Sequence, residues 1–177
     1  MSRIQTTTIG TRPTLIDVPP LKFLIMDAPR QGNLHLYIRE MRNHSVTDVV
    51  RVCEPTYQVT ELLSAGIALH DMEYADGQSP PKDIIDQWLK LVEKTFFANG
   101  SDSAKSCIAV HCVAGLGRAP VMVALALIEF GGMDPVEAVS LIRRHRRGAI
   151  NEKQLLYLEG YRKSFKSSSG ASCCVVS

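Results

Sequence analysis

Short apolar segments rich in β-branched residues alternate along this chain with longer segments whose apolar positions recur at helical spacing. The short segments predict buried strands over residues 21–26, 48–53, 67–69 and 108–110. The longer segments predict helices over residues 34–41, 56–65, 82–98 and 152–165, one from residue 118 to glycines 131–132, and one from Pro135. This alternation predicts an α/β fold with a central, mostly parallel sheet flanked by helices on both faces.

The length of 177 residues fits a single domain with a full hydrophobic core. Residues 1–13 are polar and predict a flexible arm, which precedes a domain over residues 14–166. From residue 167 the sequence becomes SSSGAS, so we expect residues 167–177 to form a flexible tail.

Composition excludes several classes of protein. The net charge is only +2, so the protein has no strong overall positive electrostatic potential that would attract nucleic acid. We therefore expect no nucleic-acid partner. No run of 18 apolar residues occurs and none lies near Met1, which predicts neither a membrane-spanning helix nor a secretory signal. We therefore expect a protein of the cytosolic side, whose five cysteines are free thiols.

Residues 143–147 (RRHRR) form a dense basic cluster. Basic side chains suit the C-terminal end of a helix, which carries partial negative charge. Basic clusters also attract anionic lipid surfaces. The sequence leaves both interpretations open.

Residues 111–118 (HCVAGLGR) carry the most specific chemistry of the chain. Five residues, Val113, Ala114, Gly115, Leu116 and Gly117, separate the thiol of Cys112 from the guanidinium of Arg118. A loop of this length between a strand and a helix can curl around a tetrahedral oxyanion, with its N–H groups pointing inward as a nest. The start of the next helix adds its positive dipole end.

This loop predicts cleavage of phosphate monoesters by a cysteine nucleophile. The Cys112 thiolate would attack phosphorus and form a thiophosphate, which water then hydrolyses. The fork of Arg118 would hold two phosphate oxygens and stabilise the charge of the transition state. The reaction needs no cofactor and no metal, and no cluster with metal-ligand spacing is visible.

The leaving alkoxide requires a proton, and Asp76 is the best candidate for the general acid. It lies in an Asp-Gly loop after a predicted strand, 36 residues ahead of the nucleophile. Asp71 and Glu73 are weaker rivals, and His111 is expected to support the loop by hydrogen bonds. Rhodanese-like and arsenate-reducing proteins use related anion loops, but the late loop and the upstream Asp76 favour a phosphatase.

The segment HCVAGLGRAP at residues 111–120 resembles the phosphatase of regenerating liver family of dual-specificity protein tyrosine phosphatases. The resemblance extends to VRVCE at 50–54, RGAIN at 147–151 and the cysteine pair 173–174, and covers residues 14–166 and the C-terminus. It implies the cysteine phosphatase fold, with Cys112 as nucleophile, Arg118 as phosphate ligand and Asp76 as general acid.

Two residues sharpen what the resemblance implies. Ala119 stands where most cysteine phosphatases carry a Ser or Thr hydroxyl that helps the sulfur leave, so turnover is expected to be slow. Cys53 matches the family cysteine that forms a disulfide with the nucleophile, which implies redox control of Cys112.

The family acid loop usually reads WPFDDG, whereas residues 72–77 of this chain read MEYADG. The second aspartate of that pattern is kept as Asp76. The Trp-Pro pair and the first aspartate are absent, so the support of the acid differs from that in the family.

The last four residues, from Cys174 to Ser177, form a C-a-a-X box that predicts farnesylation of Cys174, and methylation is expected with it. One prenyl chain anchors weakly, so a second signal is expected. Here the basic stretch before the box is thin, and the arginines at 143–147 or acylation of Cys173 could supply that signal. The expected location is the cytoplasmic face of plasma and endosomal membranes, with a cytosolic fraction.

The resemblance also implies partners. The substrate would be a phosphorylated protein or a phosphoinositide. The family further binds the cytosolic domain of cyclin-M-type magnesium transporters and forms homotrimers at membranes. Two main functions therefore stay open. The protein is either an enzyme, or a binding module whose binding is controlled by formation of the phosphocysteine or the disulfide.

Overall fold

Five strands form one sheet in the order β1-β2-β5-β3-β4 in the computed structural model, which describes residues 8–98 and 105–167. The strands are β1 (Thr14–Val18), β2 (Leu21–Met26), β3 (Val46–Arg51), β4 (Ala68–Asp71) and β5 (Cys107–His111). Strands β2, β5, β3 and β4 are parallel to one another, and the edge strand β1 pairs antiparallel with β2. The prediction of a mostly parallel sheet is confirmed.

Helices cover both faces of this sheet. They are α1 (Leu34–Asn43), α2 (Thr60–Ser64), α3 (Lys82–Phe97), α4 (Arg118–Phe130), α5 (Pro135–His145) and α6 (Glu152–Gly160). Alternate side chains of β2 and β5 separate into two cores, as the two-residue period of a strand requires. Phe23 and Ile108 pack with α3–α6, whereas Leu24 and Ala109 pack with α1 and α2. Helices on both faces were predicted, and this too is confirmed.

Tertiary contacts set the element boundaries that the sequence pattern missed. Helix α2 begins only at Thr60, because Arg51 donates to the Tyr57 carbonyl at 3.0 Å and holds the preceding segment out of helical geometry. Helix α6 ends at Gly160 rather than at residue 165. Beyond it the Glu129 carboxylate accepts hydrogen bonds from the Tyr161 hydroxyl and the Ser164 N–H, so the chain runs extended across α4.

The predicted arm and tail are described only in part. Gly10 donates its N–H to the Tyr37 hydroxyl and Thr11 donates to Asp27, so this end of the arm is bound to the domain. Residues 1–7 and 168–177 lie outside the described residues, and so do Cys173 and the predicted prenylation site Cys174. Among residues 8–98 and 105–167, no helix has the length and apolar character needed to cross a membrane.

The carboxyl ends of the four parallel strands meet at one edge of the sheet. Ligands of open α/β sheets bind at this edge, because loops from neighbouring strands converge there. Strand β5 lies in the centre, between β2 and β3, and the predicted phosphate loop follows it directly.

Candidate active site

The predicted phosphate loop lies between β5 and α4, with Cys112 directly after the strand and Arg118 as the first residue of the helix. Cys112 is 3% exposed, and Val113 is 62% exposed at the rim. The sulfur therefore belongs to the buried base of the loop, while the apolar side chain of Val113 faces solvent.

Every backbone carbonyl from Cys112 to Arg118 accepts a hydrogen bond in this structure. The donors to carbonyls 112–118, in order, are His111 Nδ1 (3.3 Å), Ala28 N (2.9 Å), Arg146 Nη2 (3.4 Å), Arg146 Nε (2.6 Å), Ile150 N (2.8 Å), Val121 N (3.1 Å) and the Tyr74 hydroxyl (3.2 Å). In a trans peptide the carbonyl and the next N–H point in opposite directions. Carbonyls held from outside the loop therefore turn the N–H groups of residues 113–118 toward its centre, where they form an anion nest.

Arg146 is the main support of the loop. It is 4% exposed, and its guanidinium binds the carbonyls of Ala114 and Gly115. Its Nη1 also donates to the Arg12 carbonyl and to the Thr14 hydroxyl, at 3.2 and 3.0 Å, which joins the loop to the start of the domain. Burial lowers the pKa of Arg146. The fork of an arginine makes these several bonds at once, which a lysine cannot do.

The basic cluster at 143–147 is thus only partly a surface feature. Arg146 is buried beneath the loop, and Arg143 donates to the carbonyls of Ala149 and Ile150 at 3.1 and 2.6 Å. The cluster lies at the C-terminal end of α5, as one of the two interpretations held, but Arg146 is buried and not solvated. Arg143, Arg144 and Arg147 are exposed.

Gly115 permits the close approach of the loop to β2. Its φ is +70°, a conformation that glycine adopts without strain. A Cβ at this position would lie 2.5 Å from the Met26 carbonyl oxygen and 2.6 Å from Arg146 Nη2. Any side chain here would displace the arginine that supports the loop.

Arg118 is also buried, at 7% exposure, and its guanidinium is oriented by the backbone. Nη1 donates to the carbonyls of Val52 and Tyr74 at 3.3 and 3.0 Å. Nε lies 3.6 Å from the Asp76 carboxylate. With Nη1 used for structure, Nε and Nη2 are the pair of donors suited to a forked contact with phosphate.

The structure brings Asp76 to the same site. Its side chain is 82% exposed at the mouth, and Oδ1 accepts a hydrogen bond from the Gly77 N–H at 3.0 Å. The rival Asp71 is bound by both ends of the Arg51 fork, at 2.6 and 2.9 Å, so it has a structural role. Glu73 is exposed and belongs to the same loop as Asp76.

Tyr74 anchors the loop that carries Asp76, a role that the sequence analysis did not predict. Its hydroxyl donates to the Arg118 carbonyl, and its own carbonyl accepts from the Arg118 guanidinium. Burial raises the pKa of Tyr74, so the hydroxyl keeps its proton as a donor. The acid loop and Arg118 are thereby held as one unit.

Cys53 lies just beyond β3 and is 1% exposed. Burial and the neighbouring Cys112 raise the pKa of the Cys53 thiol to about 11. The Cys53 sulfur is 3.8 Å from Nδ1 of His111. Cys53, Cys107 and Cys112 are free thiols, and Cys107 belongs to the core on the opposite face of the sheet.

Ala119 is fully buried in the first turn of α4, directly after the loop. No hydroxyl is therefore present at this position to bond the sulfur of Cys112. Across residues 8–98 and 105–167, no group of three or more His, Cys, Asp or Glu side chains is placed to hold a metal ion.

Comparisons with known proteins agree with this geometry. A family model described as "Tc-R-P: Polymorphic toxin system, DSP-PTPase phosphatase" matches residues 26–132. A solved structure of a putative protein tyrosine phosphatase from Leishmania major has a TM-score of 0.79 and 41% identity, covering 86% of this chain and all of that one. Kinase-associated phosphatase shares the fold with a TM-score of 0.65 at 19% identity, over 86% of this chain and 93% of its own. Fold and loop define a cysteine phosphatase of the dual-specificity type.

Relatives narrow the class to a family. A probable protein tyrosine phosphatase type IVA A of Dictyostelium discoideum is 48% identical over 155 residues, 88% of this chain and 90% of that protein. The PRL-1 phosphatase of Drosophila melanogaster is 47% identical over 85% of this chain and 82% of its own length. Human protein tyrosine phosphatase type IVA 3 is also 47% identical, over 85% of this chain and 84% of its own length. This chain belongs to the PRL, or type IVA, family of protein tyrosine phosphatases, and the predicted resemblance is confirmed.

Substitution of the buried Arg146 tests the support of the loop. Arg146→Lys keeps the charge but loses the fork, so carbonyls 114 and 115 lose their donor. We expect the free energy of unfolding to fall by about 2–4 kcal/mol and kcat/KM for a small aryl phosphate to fall about tenfold or more. Urea denaturation and steady-state kinetics measure the two effects. The exposed Arg144→Lys is the matched control, and equal behaviour of the two variants would contradict this role.

Proposed function

We propose that this phosphatase hydrolyses phosphate monoesters of proteins through a cysteinyl-phosphate on Cys112, slowly and under redox control. The observation that supports the site is the complete engagement of carbonyls 112–118 from outside the loop. This arrangement turns a row of N–H donors toward one point above a buried thiol. Such a nest favours a phosphate dianion and its transition state.

In the first step the Cys112 thiolate attacks phosphorus, the S–P bond forms, and the bond to the leaving oxygen breaks. Arg118 and the loop N–H groups hold the three equatorial oxygens, where charge collects. Asp76 gives its proton to the leaving oxygen. The exposed position of Asp76 at the mouth suits this role, because the leaving group departs toward solvent.

In the second step water attacks phosphorus and the S–P bond breaks, which returns the thiolate. A hydroxyl at position 119 would stabilise the departing sulfur by a hydrogen bond. Ala119 cannot donate one, so we propose that hydrolysis of the phosphocysteine limits turnover.

A time course with a small aryl phosphate tests the proposed function. We expect a burst of about one phenolate per enzyme followed by slow release, with phosphate found on Cys112 by mass spectrometry. Cys112→Ser should show neither the burst nor the adduct while retaining the folded circular dichroism spectrum. A burst with no adduct on Cys112, or turnover by Cys112→Ser, would exclude this mechanism. The same assay with a phosphotyrosine peptide and a phosphoinositide then compares substrate classes.

Ala119→Ser should accelerate the second step. One hydrogen bond to the departing sulfur is worth about 1.4 kcal/mol, so we expect steady-state turnover to rise about tenfold with an unchanged burst rate. Single-turnover decay of the phosphocysteine measures the step directly. Ala124→Ser places the same hydroxyl at another buried position of α4 and is the control. An unchanged decay in Ala119→Ser would show that the missing hydroxyl does not limit turnover.

We also propose that Cys53 is the resolving cysteine of a redox switch. The thiolate of Cys112 attacks one oxygen of hydrogen peroxide, the O–O bond breaks, and hydroxide leaves behind a sulfenic acid. The Cys53 thiolate then attacks that sulfur and displaces hydroxide, which forms the disulfide. The raised pKa of Cys53, about 11, supports this order, because Cys53 is a thiol at neutral pH and is a poor target for peroxide itself.

Peroxide treatment followed by peptide mapping tests the switch. We expect a Cys53–Cys112 disulfide and recovery of activity with a dithiol, both of which are lost in Cys53→Ser. Cys107→Ser removes another buried free cysteine and should behave as wild type. Because the pKa of Cys53 is about 11, its thiolate fraction rises about tenfold per pH unit up to that value, and disulfide formation should accelerate accordingly. Full recovery in Cys53→Ser would contradict the proposal.

A binding function is the second candidate, favoured by the missing hydroxyl at Ala119. Slow turnover keeps the loop occupied by phosphocysteine, which could gate binding of a cyclin-M-type transporter domain. Capture of that domain by reduced protein, and its loss on oxidation or phosphorylation, is the expected result.

Membrane attachment through a farnesyl group on Cys174 and assembly as a homotrimer remain predictions from the sequence, as does location at plasma and endosomal membranes.

A further inference from the structure

A buried chain of polar groups runs from β4 to the base of the phosphate loop. Arg51, Tyr57 and His111 are each 5% exposed or less. The Tyr57 hydroxyl lies 2.6 Å from Nε2 of His111, and Nδ1 of the same ring lies 3.3 Å from the carbonyl oxygen of Cys112. The ring of His111 therefore connects Tyr57, which is 54 residues away in sequence, to the nucleophile's own backbone.

The hydrogen-bond partners fix the protons in this chain. The carbonyl of Cys112 can only accept, so a hydrogen bond at this contact places the proton on Nδ1 of His111, and the Cys53 sulfur 3.8 Å away can accept from the same N–H. Nε2 is then an acceptor, and the hydroxyl of Tyr57 must donate to it. Burial lowers the pKa of His111 to about 4, so the ring is neutral, and burial raises the pKa of Tyr57, so the phenol keeps its proton.

The opposite tautomer would leave two groups poorly placed. With the proton on Nε2, the lone pair of Nδ1 would face the carbonyl oxygen of Cys112 at 3.3 Å, and the Cys53 thiol, 3.8 Å away, is a weak donor to it. The hydroxyl proton of Tyr57 would lose Nε2 as its acceptor, and the neighbouring Arg51 cannot replace it because a guanidinium only donates. An unpaired buried hydroxyl proton is costly, so Tyr57 selects the tautomer that holds the loop.

Tyr57 is itself held by Arg51. The guanidinium of Arg51 lies 4.9 Å from the centre of the Tyr57 ring, and its Nη1 donates to the Tyr57 carbonyl at 3.0 Å. The other two donors of the fork are bound by Asp71. The hydroxyl is thereby presented to His111 by a rigid arrangement, although residues 54–59 form no helix or strand.

We propose that Tyr57 is a positioning residue of the active site: its hydroxyl fixes the Nδ1–H tautomer of His111, which holds the Cys112 carbonyl outward and so aims the first N–H of the loop at phosphate. The hydroxyl of Tyr57 contacts the ring of His111. It acts through His111, on the first of the seven loop carbonyls. The proposal rests on the phosphatase mechanism proposed above.

Tyr57→Phe tests this assignment by removing one hydroxyl from a ring that stays packed. We expect kcat for a small aryl phosphate to fall about 3- to 10-fold with KM changed less than about twofold, because the loop loses alignment in the transition state. Tyr161→Phe is the matched control. It removes a hydroxyl that makes a hydrogen bond of the same 2.6 Å length, to Glu129 on α4, and should leave kcat unchanged.

The tautomer is read independently from the ¹⁵N resonances of the His111 ring. In the wild type we expect Nδ1 to carry the proton, and in Tyr57→Phe we expect the Nε2–H form to gain population, with no change in Tyr161→Phe. A wild-type ring protonated on Nε2 overturns the proposal. So does a fall in kcat without a change in the ring, or a changed ring with normal kcat. The ring resonances are measured without substrate turnover. An inactive wild-type protein would therefore count against the proposed function, and the tautomer of His111 would still be read from the ring.

A double substitution separates action through His111 from a general packing effect. His111→Asn keeps an amide donor near the Cys112 carbonyl but has no Nε2 for Tyr57 to bind. If Tyr57 acts through the ring, Tyr57→Phe should lower kcat no further in the His111→Asn background. Independent, multiplicative losses of kcat would overturn the assignment.

Discussion

The active site depends on one constraint, which is that seven consecutive carbonyl groups must point away from the phosphate position. Residues 112–117 have no regular structure to satisfy these acceptors, and Arg118 is the first residue of α4, so donors from other parts of the fold bind these carbonyls. Their donors come from the end of β2, from β5, from the acid loop, from α4 and from the segment after α5. Each bond contributes about 1 kcal/mol net, but an unpaired buried carbonyl would cost more. The geometry of the loop therefore depends on the correct packing of nearly the whole domain.

Sequence reasoning predicted those parts of the site that are continuous in the chain. Cys112, the glycines and Arg118 fall in one run between a strand and a helix, so spacing alone predicted the loop. Residues that support it from a distance were missed. Arg146 lies 31 residues from Gly115, and a buried arginine has the same local pattern as an exposed one. Tyr57 was placed within a helix, because its neighbours suit one and the contact with Arg51 that prevents it is tertiary. The same holds for β1, whose short alternating pattern becomes a strand only by pairing with β2.

The acid loop illustrates how a different sequence can preserve a position. Residues 72–77 lack the Trp-Pro pair of the family pattern, yet Asp76 still lies beside Arg118. The link is Tyr74, which is bound to Arg118 by both its hydroxyl and its carbonyl. Because Arg118 and the loop that carries Asp76 share these bonds, a shift of one moves the other. The family pattern alone could not show this, since it describes residues and not the contacts between them.

The two cysteines of the site differ in chemistry because of their surroundings. The sulfur of Cys112 sits beneath a nest of N–H groups, which stabilises an anion, whereas burial and the neighbouring Cys112 raise the pKa of Cys53 to about 11. In the proposed redox reaction this difference fixes the order, with Cys112 oxidised first and Cys53 attacking second. Both sulfurs are almost fully buried, at 1% and 3% exposure. A phosphorylated Cys112 has no free sulfur to oxidise, so in the slow turnover proposed above the phosphocysteine would protect the nucleophile.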